Sequence, residues 1–201
     1  MLISPSKIYT YEDCPKKLEF KYILWIPQIE HDYFTIWKDV EDYLCNVLIE
    51  KKEFNKIPNK EIIKLATAIY QNTKFQELIK DKALTYQTEY KTTETHWFSD
   101  IETDDVIIDI KTSSVKWNLD TVKKYRFQAM MYLKNSWKKL FYFVVVNKKT
   151  YEVQILKVNV DNFKELEQKI FEVKLAFEMW VFPTNPTFMC KYCDYNLICE
   201  K

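Results

Sequence analysis

The sequence predicts an α/β fold: a mainly helical part over residues 1–83, then a core over 84–180 in which strands and helices alternate. Three observations support it. Apolar residues recur at helical spacing before residue 83, as Ile62, Leu65 and Ile69 do. β-Branched and aromatic runs follow near 84–91, 94–101 and 106–113, each bounded by turn-forming residues. A second helical period over 119–135 then separates these runs from two more at 141–146 and 151–158. With 201 residues, 47% of them hydrophobic, the chain can bury one sizeable core. It is expected to be a single domain over 1–201, ending in a cysteine-bearing tail at 181–201.

Taken in order, the chain starts a helix at Ser4, a cap, followed by Pro5 at the first helical position. Residues 34–51 read as a helix with Val40, Tyr43, Leu44, Val47 and Leu48 on its apolar stripe. One or two helices occupy 59–83, burying Ile62, Ile63, Leu65 and Ile69, then Phe75, Leu78 and Ile79. After the three strands, the helix over 119–135 sets Gln128 and Tyr132, four apart, on one face. The runs at 141–146 and 151–158 make a hairpin about residues 147–150. A long helix from 161 to 180 buries Phe163, Leu166, Ile170, Val173, Phe177 and Trp180.

Composition excludes several functions. A chain with no glycine has neither a phosphate-cradling loop nor a dinucleotide fingerprint. Its turns must rely on Asn, Asp and Pro. No apolar run is long enough to cross a bilayer and no basic-then-apolar leader precedes Ser4, so an intracellular, cytoplasmic protein is expected. The net charge of +1 gives no global basic signature, and any nucleic-acid surface must be local. Arg126 is the only arginine beside abundant lysine, isoleucine and tyrosine, a bias expected of an AT-rich genome such as that of a virus or mobile element.

The third strand is where chemistry concentrates. In the β-branched run from Val106, Asp109 and Lys111 interrupt on one face while Ile108 and Ile110 take the other. Opposite charges inside a core strand are costly without partners or a task, and a structural ion pair is the alternative to a catalytic one. A hairpin loop of two residues (103–104) or four (102–105) pairs Ile101 with Val106, placing Asp100 diagonal to Asp109 on the lysine's side. A three-residue loop would throw Asp100 to the opposite face. Two carboxylates and a lysine on one face are the parts needed to hold a divalent cation beside a polarised water.

Asp100, Asp109-x-Lys111 in "IIDIKTS" and Gln128-x-x-x-Tyr132 in "QAMMY" resemble the PD-(D/E)xK nucleases, in particular their RecB-like branch. Cys14-Pro15 near the start and "CKYCDYNLIC" at the end are similar to the iron–sulfur form of that branch, which includes the AddB nuclease domain and CRISPR-associated RecB-like exonucleases. The resemblance implies a restriction-endonuclease-like core: a central mixed sheet flanked by helices, with an N-terminal helical part and a C-terminal cysteine cluster. It implies that Asp100 and Asp109, with the Ile110 backbone carbonyl, ligate Mg²⁺ or Mn²⁺, hard ions suited to oxygen. Lys111 would orient the attacking water and steady the charge on phosphate. Gln128 and Tyr132 would support the site. Glu41 falls where the branch places its first active-site residue and is a third candidate ligand, an exposed helix glutamate being the alternative. Glu89 is a fallback acidic ligand.

Cys190-x-x-Cys193 alone suits zinc or iron–sulfur. With Cys199 and the distant Cys14, the resemblance implies a structural [4Fe–4S] cluster, with zinc as the runner-up; Cys45 reads as a core thiol. The expected function is a divalent-metal-dependent DNA nuclease acting on single strands or DNA ends, as an exonuclease or single-strand endonuclease. Lys123, Lys124 and Arg126 are candidates to meet phosphates. Its rival is a catalytically inactive nucleic-acid-binding module of a recombination or CRISPR-type assembly, for which Ser99, standing where the family has glycine, leaves room.

Overall fold

The computed structural model describes residues 1–28, 33–52 and 59–200, with backbone alone at 33–35. Five strands form one sheet in the order β1-β2-β3-β4-β5. They are β1 (Thr85–Lys91), β2 (His96–Glu102), β3 (Val106–Ser113), β4 (Leu140–Asn147) and β5 (Val153–Val158). β3 pairs antiparallel with β2 and parallel with β4, and β4–β5 is an antiparallel hairpin. Among the described residues there are eight α-helices: α1 (Pro5–Asp13), α2 (Pro15–Tyr22), α3 (Tyr33–Asp42), α4 (Lys60–Gln71), α5 (Thr73–Ile79), α6 (Leu119–Lys124), α7 (Arg126–Asn135) and α8 (Lys164–Met179). The parallel β3–β4 step requires a crossover, which α6 and α7 supply. A mixed sheet flanked by helices is the expected class, a restriction-endonuclease-like α/β core.

Local chemistry sets where the helices divide. Cys14 adopts an extended backbone and separates α1 from α2, because the proline after it disfavours the helical region. Asn72 ends α4 and caps α5, its side chain accepting from the Phe75 amide at 3.1 Å. α3 runs on into a π-helical stretch, Tyr43–Ile49, closed by the Glu50 amide on the Cys45 carbonyl at 3.0 Å. Trp180, expected on the buried side of the last helix, is instead its left-handed cap and 69% exposed.

The chain forms two compact units. One contains the sheet with α3 to α7; the other contains α1, α2, α8, residues 91–96 and the cysteine tail. In the first, β3 is buried on both faces, as its β-branched run requires. Val106, Ile108 and Ile110 join a core with Val40 and Leu44 and with Ile62, Leu65, Ala66 and Ile69 of α4. The opposite side carries Phe141 and Phe143 of β4, packed edge to face, and Tyr132 of α7 packs edge-on against Phe141 with its ring 5.7 Å away. Cys45 is a buried core thiol, as expected.

In the second unit, Ile3 pairs with Thr95, its amide donating to the Glu94 carbonyl at 2.7 Å. α8 buries Leu166, Ile170, Val173 and Ala176. The Lys16 amide donates to the Pro183 carbonyl at 3.2 Å, and the Asn185 side chain donates to the Asp13 carbonyl at 3.1 Å. The start of α2 and the approach to the cysteine tail are thereby tied together.

Candidate active site

The β2–β3 hairpin turns on Asp104 and Asp105, with the Thr103 amide donating to the Val106 carbonyl at 2.9 Å. The Thr103 hydroxyl also accepts from the Val106 amide, fixing that corner. Ile101 therefore pairs with Ile108, and not with Val106 as the loop lengths had suggested. Carried one residue further, this register sets Asp100 opposite Asp109 rather than diagonal to it. A shift of two residues preserves the face. Here Oδ2 of Asp100 accepts the Ile110 amide at 2.7 Å.

Asp109 lies on the α7 side of β3. One carboxylate oxygen meets the Lys111 ammonium and the other accepts from the Gln128 amide. Gln128 also donates to the Tyr132 hydroxyl at 2.9 Å, and that hydroxyl donates to the Phe98 carbonyl at 2.8 Å. The pair thus ties α7 to β2 and holds Asp109 in place. Glu41 of α3, only 2% exposed, accepts from the amide of Gln87 in β1. Asp100, Asp109, Lys111, Gln128 and Glu41 lie in one unit.

Electrostatics connect the groups. Burial, then the charges of Asp109 and Glu41, push the Asp100 carboxyl well above the usual carboxylate range. Burial also raises Asp109, against the pull of Lys111 and Gln128. Burial, with Asp109 next in weight, lifts Glu41 to about 7. Burial works against the Lys111 ammonium, but Asp109, Asp100 and Glu41 together raise it above the ordinary lysine range. The lysine stays charged, and the carboxyls resist ionising together.

Hard carboxylate oxygens are the donor chemistry of Mg²⁺ and Mn²⁺, and a divalent charge would offset the burial that raises all three carboxyls and the repulsion that adds to it at Asp100 and Glu41. The donor set fits such an ion. As the side chains stand, Lys111 and Gln128 take the oxygens of Asp109, and among the described residues no three His, Cys, Asp or Glu side chains form a ready metal-holding group.

This crowding has a pH signature. A carboxyl whose folded pKa is near 7 keeps its proton in the folded state after the unfolded chain has lost it, so stability falls as pH rises from about 4.5 to about 7. The full shift corresponds to about 3 kcal/mol. Metal-free Glu41→Gln is therefore expected to match the wild type at pH 4.5 and to melt several degrees higher at pH 8. Superimposable melting curves across that range would rule out a crowded Glu41.

Two supporting features carried no signal in the sequence. Trp97, 3% exposed, is stacked between Tyr90 and Tyr132 with ring centroids 4.0 and 3.8 Å away, bracing the tyrosine that braces Gln128. Gln87 has no distinctive spacing within its strand, and only the packing of α3 brings it to Glu41.

Cys14, Cys190, Cys193 and Cys199 lie in the other unit. Cys14 caps α2, Cys190 lies in a 3₁₀ turn over Phe188–Tyr192, and Cys193 follows as its cap, the Cys193 amide donating to the Cys190 carbonyl at 3.2 Å. Tyr195, packed 5.2 Å from Phe20 of α2, donates its hydroxyl to the Ile26 carbonyl at 3.1 Å. Burial, followed by Cys14, Cys193 and Cys190, raises the Cys199 thiol, so all three other sulfurs act on it. Cys14, Cys190, Cys193 and Cys199 are free, half-buried thiols of one unit, and among the described residues no three of them form a ready metal-holding group.

A model of the PD-(D/E)XK nuclease superfamily matches residues 100–200, half of the chain. No curated protein matches it significantly. Among solved structures, the fold is similar to the crystal structure of SSO0001, with a TM-score of 0.50 and 14% identity over 98% of this chain and 85% of that one.

Proposed function

The chain belongs to the PD-(D/E)XK nuclease superfamily, and from that premise we propose that it is a divalent-metal-dependent deoxyribonuclease that hydrolyses phosphodiester bonds in single-stranded DNA or at DNA ends. The observation that carries this reading is the set of buried Asp100 and Asp109 with half-buried Lys111 on neighbouring strands, buttressed by Gln128 and Tyr132. Asp100, Asp109, Glu41 and the Ile110 carbonyl would hold Mg²⁺ or Mn²⁺, which in such enzymes polarises the phosphate and makes bound water more acidic. Lys111, with its raised pKa, acts as a fixed positive charge and hydrogen-bond donor and not as the base. It orients the attacking water and steadies charge growing on the phosphate oxygens. Gln128 keeps Asp109 in one orientation, and Tyr132 keeps Gln128.

The RecB-like iron–sulfur form is supported by Cys14, Cys190, Cys193 and Cys199, which would hold a [4Fe–4S] cluster far in sequence from the chemistry, with zinc as the alternative. Its role is to fasten α2 to the tail.

A net charge of +1 leaves no broad electrostatic surface, so binding should rest on local lysines and aromatic faces, which favours unpaired bases. With Mn²⁺, labelled single-stranded DNA is expected to be cut faster than the interior of closed duplex, and chelator should stop both. A preference for closed duplex would overturn the single-strand assignment. The second reading, a module that binds DNA without cutting, draws on the engagement of both Asp109 oxygens by Lys111 and Gln128. Binding without cleavage in the same assay would favour it.

A further inference from the structure

Gln87 has a conformation that its own strand does not explain. It sits within β1 yet adopts a left-handed backbone, φ 49°. For a residue with a Cβ this region costs about 1–2 kcal/mol, and it persists where surrounding contacts demand it. The alternation along β1 places Gln87 on the exposed side, but its amide donates to buried Glu41. Glu41 also borders a cavity of about 360 Å³ lined by Asp42, Cys45, Asn46, Tyr86 and Gln87 among others. A glutamate has three rotatable bonds, so the cavity gives this side chain room to turn away from Asp100 and Asp109. Like-charge repulsion pushes it the same way. The Gln87 side-chain amide, itself on the cavity wall, fixes one Glu41 oxygen and so limits that freedom, alongside the attraction of Lys111.

We propose that Gln87 is a positioning residue, which holds the Glu41 carboxylate toward Asp100 and Asp109 through the left-handed turn in β1. The inference rests on the metal-binding reading above and extends it to a residue that touches neither metal nor DNA. Groups that orient a metal ligand are generally worth 10–100-fold in metal affinity.

Titration calorimetry with Mn²⁺ alone, on the purified full chain, tests it. Gln87→Ala should weaken Mn²⁺ binding by about 10–100-fold while the melting temperature changes little. Gln87→Gly adopts φ 49° without strain, so it should fold at least as well and show the same loss. In a Glu41→Ala background, either substitution should have no further effect, since Gln87 acts only through Glu41. Wild-type Mn²⁺ affinity in folded Gln87→Gly, or an equal loss with Glu41 absent, would overturn the positioning role and leave the nuclease reading intact. A wild-type protein that takes up no Mn²⁺ would overturn that reading and the positioning role together.

Discussion

Asp109→Ala is expected to fold with a melting temperature within a few degrees of the wild type, yet to lose Mn²⁺ binding and cleave DNA at least about a thousandfold more slowly. The opposite expectation follows if Asp109 and Lys111 are only a structural pair, for breaking a buried ion pair generally costs about 3–5 kcal/mol. The surroundings of Asp109 decide between them. It shares a buried site with Asp100 and Glu41, and Lys111 is the cation that the described residues set against all three. Removing one carboxylate leaves the lysine two others and reduces the crowding. Thermal melting beside single-turnover cleavage separates the two accounts. A large loss of stability with residual activity in proportion to the folded fraction would identify a structural pair.

Cys14→Ala is expected to have the next largest effect. Anaerobically purified wild-type protein should be brown and contain about four irons per chain, and the variant should lose colour and iron together. Binding energy of a structural metal centre is folding energy, so a loss of about 3–5 kcal/mol and a melting temperature lower by on the order of 10 °C should accompany it. Cys45→Ala is the control. Its thiol lies in the apolar core with Leu44 and Leu65, so it should keep colour and iron and lose only about 1–2 kcal/mol to the small cavity. One zinc per chain in a colourless wild-type protein would replace the cluster with the runner-up metal.

The strand at the centre of the fold was legible because its signal is local. A β-branched run reads as buried on both faces, and the period of two alone separates Asp109 from Ile108 and Ile110. Gln128 and Tyr132 were legible by their helical spacing, although their joint hold on Asp109 and the Phe98 carbonyl needed the fold. The hairpin register was not legible. Its turn uses Asp104 and Asp105 because the Thr103 hydroxyl closes the corner on Val106, a preference that loop length does not encode. The break at Cys14 was implicit in Pro15, but the break at Tyr125, between α6 and α7, has no proline or glycine to announce it.

Residues whose placement depends on docking between elements were the hardest to read. Nothing in the spacing of Glu41 distinguishes an exposed helix glutamate from one only 2% exposed. Gln87 looks like any polar residue of an edge strand until α3 packs against it. Trp180 continues a helical apolar period yet falls one residue past the helix end, where the left-handed cap turns it to solvent. The four cysteines are joined as a set only by the family resemblance; the hydrogen bonds tying Asp13 and Lys16 to Asn185 and Pro183 join opposite ends of the chain, which spacing does not announce.

The most direct test of the catalytic assignment is the Mn²⁺-dependent cleavage rate of single-stranded DNA by Lys111→Ala, measured beside its melting temperature. Loss of this ammonium removes the charge that balances the three carboxyls in the metal-free protein, so the comparison belongs near pH 6, where protonation limits their repulsion. There the variant should be folded and should bind Mn²⁺ and DNA, but cleave at least about a thousandfold more slowly, because the lysine acts on charge formed in the transition state. Wild-type cleavage by a folded Lys111→Ala protein would contradict the mechanism.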